Sequence, residues 1–168
     1  GNHDVGNKLT AADEDRFIDI FGYSYKTIFV KGWRFIAMNT QYWMPTEEKE
    51  RQGRYREWLK GEFAAAQTGV EPVIVAGHIP PFAHTPNEKD GYSNCPEAER
   101  TRFLDACLAA GARLLLAGHT HAYMARGYKA LEILNAETTC CNFDWRPFGF
   151  RLLKLSLTGD YTWNFIGV

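Results

Sequence analysis

Apolar side chains recur along this chain in two distinct periods. Residues 25–30 and 33–39 are β-rich runs separated by Lys31-Gly32, and a two-residue connection ending in glycine predicts a tight hairpin. Over residues 46–67 the period lengthens, and Tyr55, Trp58, Leu59, Phe63 and Ala66 fall on one helical face. Thr46 is placed to cap that helix, and Glu47 and Glu48 suit its positive end. The charged run 49–56 reads as its solvated face.

Residues 72–76 (PVIVA) and 113–117 (RLLLA) are short apolar runs, the mark of strands covered on both faces. Between them lies a polar loop, residues 79–95, and then a second helix opened by Pro96. Phe103, Leu104, Cys107 and Leu108 form its buried side, and Gly111 ends it. Residues 128–136, 150–157 and 161–166 read as successive strands, with Thr158-Gly159-Asp160 as a turn. A β-α-β-α-β middle followed by a β-rich end predicts a single α/β domain over 1–168, with mixed sheets.

Composition changes this picture little. The 168 residues suffice for one core, and the 45% apolar fraction argues against disorder. Nineteen Lys and Arg against 20 Asp and Glu leave a formal charge of -1, which gives no electrostatic reason to expect nucleic acid or an anionic membrane as partner. No apolar run reaches the roughly 20 residues that span a bilayer. Cys95, Cys107, Cys140 and Cys141 lack metal-knuckle spacing and read as free thiols, which points to a reducing, cytoplasmic setting.

The chemistry lies in the histidines. His3, His78, His119 and His121 sit in three short motifs: Gly1-Asn2-His3-Asp4, Gly77-His78 and Gly118-His119-Thr120-His121. Two of these motifs end apolar strands, and binding sites in open α/β sheets gather at the carboxyl ends of strands. Residues two apart on a strand exit can share one side, so His119 and His121 can face one metal or two neighbouring ones. One such histidine alone is more often structural; three motifs together favour transition-metal chemistry.

The ordered set of motifs resembles the calcineurin-like metallophosphoesterase superfamily. Longer stretches are similar to its branch of calcineurin-like phosphoesterase domain-containing protein 1: GNHDVGN at 1–7, FGYSY at 21–25, FIAMNTQ at 35–41, GHIPPF at 77–82 and the closing FGFRLLKL. The resemblance implies a four-layer α/β/β/α fold, a β-sandwich flanked by helices, of which this chain is the C-terminal portion. It implies two divalent or mixed-valence transition metal ions (Mn, Fe or Zn), a metal-bridging hydroxide as nucleophile and a phosphorylated protein or small molecule as substrate. Asn2 would hold metal and phosphate, His78 and His119 would complete the same metal, and His121 would bind the other. His3 would face the scissile ester oxygen, and Asp4 would orient its imidazole. The family's upstream Asp-x-His and Gly-Asp-x-x-Asp motifs do not occur in these residues. The expected activity, phosphomonoester hydrolysis on phosphoserine or phosphothreonine proteins, is therefore assigned to a longer parent, and the chain alone is expected to be inactive. The alternatives are a phosphodiesterase and a catalytically incompetent binding module.

Other residues have blander readings. Tyr92 and Asn94, in the long polar loop, are candidates for contacting substrate. His84 reads as a loop-surface residue, and Trp145 and Arg146 as a surface loop with an aromatic anchor rather than a leaving-group site. Cys140 and Cys141 follow a strand that leads toward the site. An unpaired sheet edge predicts self-association of this portion.

Overall fold

A computed structural model describes all 168 residues, Gly1–Val168. Its elements are α1 (Asn2–Val5), α2 (Ala11–Phe21), β1 (Lys26–Val30), β2 (Trp33–Ala37), α3 (Lys49–Thr68), β3 (Val73–Ala76), α4 (Glu97–Ala109), β4 (Ala112–Ala117), β5 (Met124–Tyr128), β6 (Leu131–Asn135), β7 (Gly149–Leu155) and β8 (Tyr161–Gly167). Six strands form one mixed sheet in the order β1-β2-β3-β4-β6-β5, and β7-β8 form a separate antiparallel hairpin. The pairs β2-β3, β3-β4 and β4-β6 are parallel; the two outer pairs are antiparallel.

Alternation along the central strands builds two cores. Ile36, Val73, Val75, Leu115 and Ile133 turn one way, into a cluster with Tyr55 and Phe63 of α3 and Phe103, Leu104 and Cys107 of α4. Trp33, Ile74, Leu114 and Leu134 turn the other way and meet Leu153, Leu155, Tyr161 and Trp163 of the hairpin. The result is helices on one face of the large sheet and the second, smaller sheet on the other, the layering of a helix-flanked β-sandwich. Polar bonds fix the hairpin's seat: Trp33 Nε1 donates to the Ser156 carbonyl at 2.7 Å, and Tyr161 Oη and Trp163 Nε1 both donate to Glu132.

The β1-β2 hairpin turns as its sequence predicts. Lys31 and Gly32 have φ of 48° and 83°, the doubly left-handed geometry of a two-residue hairpin. Three local expectations shift. The α3 helix starts at Lys49, later than predicted, because Thr46 does not cap it; Thr46 Oγ1 accepts from Glu48 N at 3.1 Å and donates to the Leu9 carbonyl at 2.9 Å. Residues 128–136 are not one strand: Lys129, with φ of 53°, turns the chain between β5 and β6. Helix α2, capped by Thr10 accepting from Asp13 N and stopped at left-handed Gly22, precedes the first hairpin. All four cysteines are free, with Cys95 and Cys107 buried.

Candidate metal centre

The parallel core of the sheet delivers the site. Strands β3 and β4 run side by side in register, Ala76 opposite Leu116, so Gly77-His78 and Gly118-His119 leave the sheet together. Gly118 N donates to the His78 carbonyl at 2.9 Å, which extends the pairing one residue past the strands. Gly77 is required there by packing: a Cβ would lie 2.6 Å from Thr40 Cγ2. Gly1 lets α1 approach, since a Cβ would meet the His78 ring at 2.7 Å.

Three donor atoms converge. Asn2 Oδ1 lies 2.8 Å from His78 Nε2, and His119 Nδ1 lies 3.2 Å from that same nitrogen. His119 Nε2 is 3.1 Å from the Tyr92 carbonyl, which can only accept, so Nε2 carries the proton and Nδ1 presents its lone pair to the centre. Burial, helped by His119, pushes the His78 pKa below the ordinary imidazole value. Burial also lowers that of His119, against the opposing pull of the Tyr92 carbonyl. Both imidazoles are therefore neutral near pH 7, the form a metal requires.

The predicted residues divide into three groups. Asn2, His78 and His119 are brought together. His121 stands apart: its ring stacks on Phe143 with centroids 4.9 Å apart, and its Nδ1 is buried without a partner. His3 and Asp4 are both exposed on α1. Tyr92 lies against Asn2, whose Nδ2 donates to Tyr92 Oη at 2.7 Å and to Asn7 Oδ1 at 2.8 Å. Asn94 does not reach the site. Its amide is spent on the Glu88 carboxylate, the Lys89 carbonyl and Gly91 N, because the loop needs it to close on itself.

Sequence reasoning missed Asn7, Glu88 and Arg100. Glu88 accepts from the backbone N–H groups of Ala83, His84 and Thr85, and Arg100, fully buried, donates to the carbonyls of Cys95, Pro86 and Glu88. Together they fold the loop that brings the Tyr92 carbonyl to His119. The GNHDVGN spacing was the one available signal for Asn7. A cavity of about 220 Å³ adjoins the centre, lined by Asn2, Asn7, Gln41, Ile79, Tyr92 and His119 among others. A larger cleft, about 460 Å³, lies between α3 and α4 but contains no histidine, so the chemistry stays with the smaller one.

The donor set fits a metal in part. Asn2 Oδ1, His78 Nε2 and His119 Nδ1 suit one ion, and the unpartnered His121 nitrogen marks a further donor nearby in sequence. No group of three or more His, Cys, Asp or Glu side chains surrounds a single point, so no carboxylate completes the set.

Paired strand ends thus each deliver a histidine, with an asparagine closing over them. The calcineurin-like phosphoesterase family model matches residues 1–123, and the chain belongs to that family. It is 28% identical over 159 residues to the serine/threonine-protein phosphatase CPPED1 of Homo sapiens and 27% identical over 158 residues to that of Danio rerio, covering 93% of this chain and 51% of each relative. The chain thus spans about half the length of the curated relatives it matches. Among solved structures, GAP50, the anchor in the inner membrane complex of Plasmodium, superposes with a TM-score of 0.51 at 17% identity, over 68% of this chain and 36% of that one, a likeness of fold. No helix is long and apolar enough to cross a membrane.

Proposed function

We propose that this chain supplies the histidine-bearing half of the active site of a metal-dependent phosphomonoesterase that acts on phosphoserine or phosphothreonine in proteins. The convergence of Asn2 Oδ1, His78 Nε2 and His119 Nδ1 at the ends of β3 and β4 supports the reading most directly. The names of the phosphatase relatives support the substrate class. Asn2, His78 and His119 would hold one ion and His121 the second. Two bound ions supply the positive charge that binds phosphate and acidifies water.

The chain's own groups do the rest. The Tyr92 carbonyl orients His119, and Tyr92 Oη and Asn7 fix the Asn2 amide so that its oxygen faces the ion. His3, exposed beside the site, would hold the proton that the departing alkoxide takes up. With no group of three or more His, Cys, Asp or Glu side chains around one point, the chain alone is expected to hold at most one ion tightly and to turn over no phosphoester.

The test uses the full-length protein with manganese, comparing a phosphoserine peptide with bis(p-nitrophenyl) phosphate. Faster turnover of the peptide is the expected result. Preference for the diester would establish the phosphodiesterase reading instead. Metal analysis of the isolated chain showing two tightly held ions would overturn the half-site argument.

A further inference from the structure

The turn that carries two of the four candidate ligands is backbone-strained. His119 has φ of 71° and His121 φ of 52°, both left-handed and neither a glycine. Left-handed residues at alternate positions persist only where surrounding structure over-determines them. Their only local backbone bond is Thr120 N to the Gly118 carbonyl at 2.8 Å, besides the link from Phe143 N to the His121 carbonyl at 2.8 Å.

One side chain closes the turn from outside. Asn135, the last residue of β6, lies opposite Ala117 in the parallel β4-β6 pair, beside the strand end that leads into Gly118. It is completely buried. Its Nδ2 donates to Thr120 Oγ1 at 2.8 Å, to the Ala122 carbonyl at 2.8 Å and, more weakly, to the Ala136 carbonyl at 3.3 Å. Thr120 Oγ1 in turn donates to the Ala122 carbonyl at 3.1 Å. One amide and one hydroxyl thus clamp the residues on either side of His121. Asn135 Oδ1, like His121 Nδ1, is buried without a partner, so the amide is retained for what its nitrogen holds.

We propose that Asn135 is a positioning residue: its amide, through Thr120 and the Ala122 carbonyl, holds the 118–122 turn in the doubly left-handed form that presents His119 and His121 as metal ligands. The proposal rests on the metal reading of the site given above. Asn135 itself touches neither metal nor substrate. Groups in this supporting role set the orientation of ligands, and their loss typically costs about 10–100-fold in metal affinity.

The test is cobalt titration of the full-length protein, read by visible absorption and by the dissociation constant, alongside thermal melting. Asn135→Ala is expected to weaken cobalt binding about 10–100-fold and to alter the ligand-field spectrum. Thr120→Val, which keeps the side chain's shape and removes its hydroxyl, should move both readouts the same way by less. Thr120→Ser, which restores the hydroxyl, should return them to wild type. If Asn135→Ala does not fold, the Thr120 pair decides. Variants that bind cobalt within two-fold of wild type with an unchanged spectrum overturn the positioning role while leaving the metal reading intact. A wild-type protein that takes up no cobalt overturns the metal reading, and the positioning role falls with it.

Discussion

Two of the polar clusters in this molecule, one buried and one half-buried, are built on opposite logic. In the first, Glu14 is 3% exposed yet fully served: Ser24 Oγ, Tyr42 Oη and Arg51 all donate to its carboxylate, and Arg51 also reaches Asp15 in a fork. A charge, its counter-charge and two hydroxyls leave the carboxylate well paired. In the second cluster, Asn2 with His78 and His119, no carboxylate bonds to the imidazoles, and the acceptors face one another. Burial keeps its histidines neutral rather than paired. A network that is complete holds the fold together. One that leaves donor atoms pointing at a common centre is the arrangement expected of a ligand site.

The sharpest way to break this contrast is to truncate one member of each cluster. Glu14→Ala should destabilise the fold by about 1–3 kcal/mol in denaturant titrations, because it leaves the Tyr42 and Ser24 hydroxyls without their acceptor while Arg51 keeps Asp15. His78→Ala should leave the melting temperature near wild type while lowering metal binding by the full-length protein about 100-fold, the upper end of the range for disturbing a metal site. Equal losses of stability from both variants would erase the distinction.

Acid sharpens the comparison next. Burial alone would raise the Glu88 pKa, but bonds from Ala83, Asn94, His84 and Thr85 outweigh it and hold the group at about 2. The folded value lies below the unfolded one, so the stabilisation is full above pH 4.5 and is lost as pH falls toward 2. Unfolding free energy should drop by about 2 kcal/mol across that window, and Glu88→Gln should flatten the dependence. An unchanged slope in the variant would mean that Glu88 does not anchor the loop. The smallest effect belongs to Tyr92→Phe. It removes one hydroxyl from the Asn2-Asn7 network but keeps the backbone carbonyl on His119, so a loss of about 1 kcal/mol, several-fold in activity, is expected from kinetics.

Much of this was legible in the residues, for identifiable reasons. The buried strands β3 and β4 are short apolar runs bounded by glycine, and their ends carry His78 and His119, so local pattern and site location coincide. Helix α2 escaped although its signals were present: Thr10 at its start, Phe17, Ile18 and Phe21 on one side, and Gly22 at its end. Strand β5, with an arginine and a glycine in five residues, is an edge strand whose pairing with β6 supplies what its composition does not. Asn135 and Arg100 could not be read at all. Each acts through carbonyls presented by another segment, a relation set by strand register and loop closure and absent from local spacing.

Arg100 has a consequence of its own. Its cation sits wholly inside the protein, held by three carbonyls of the 86–95 loop, with Asp90 at 3.9 Å as its nearest carboxylate. The bond that a trypsin-like protease would cut after Arg100 is therefore hidden while that loop is closed and α4 is intact. Any excursion that lifts the loop away from His119 hydrates this charge and exposes the side chain. Susceptibility of the chain at a single arginine thus becomes a clock for how often the Tyr92 carbonyl leaves its histidine.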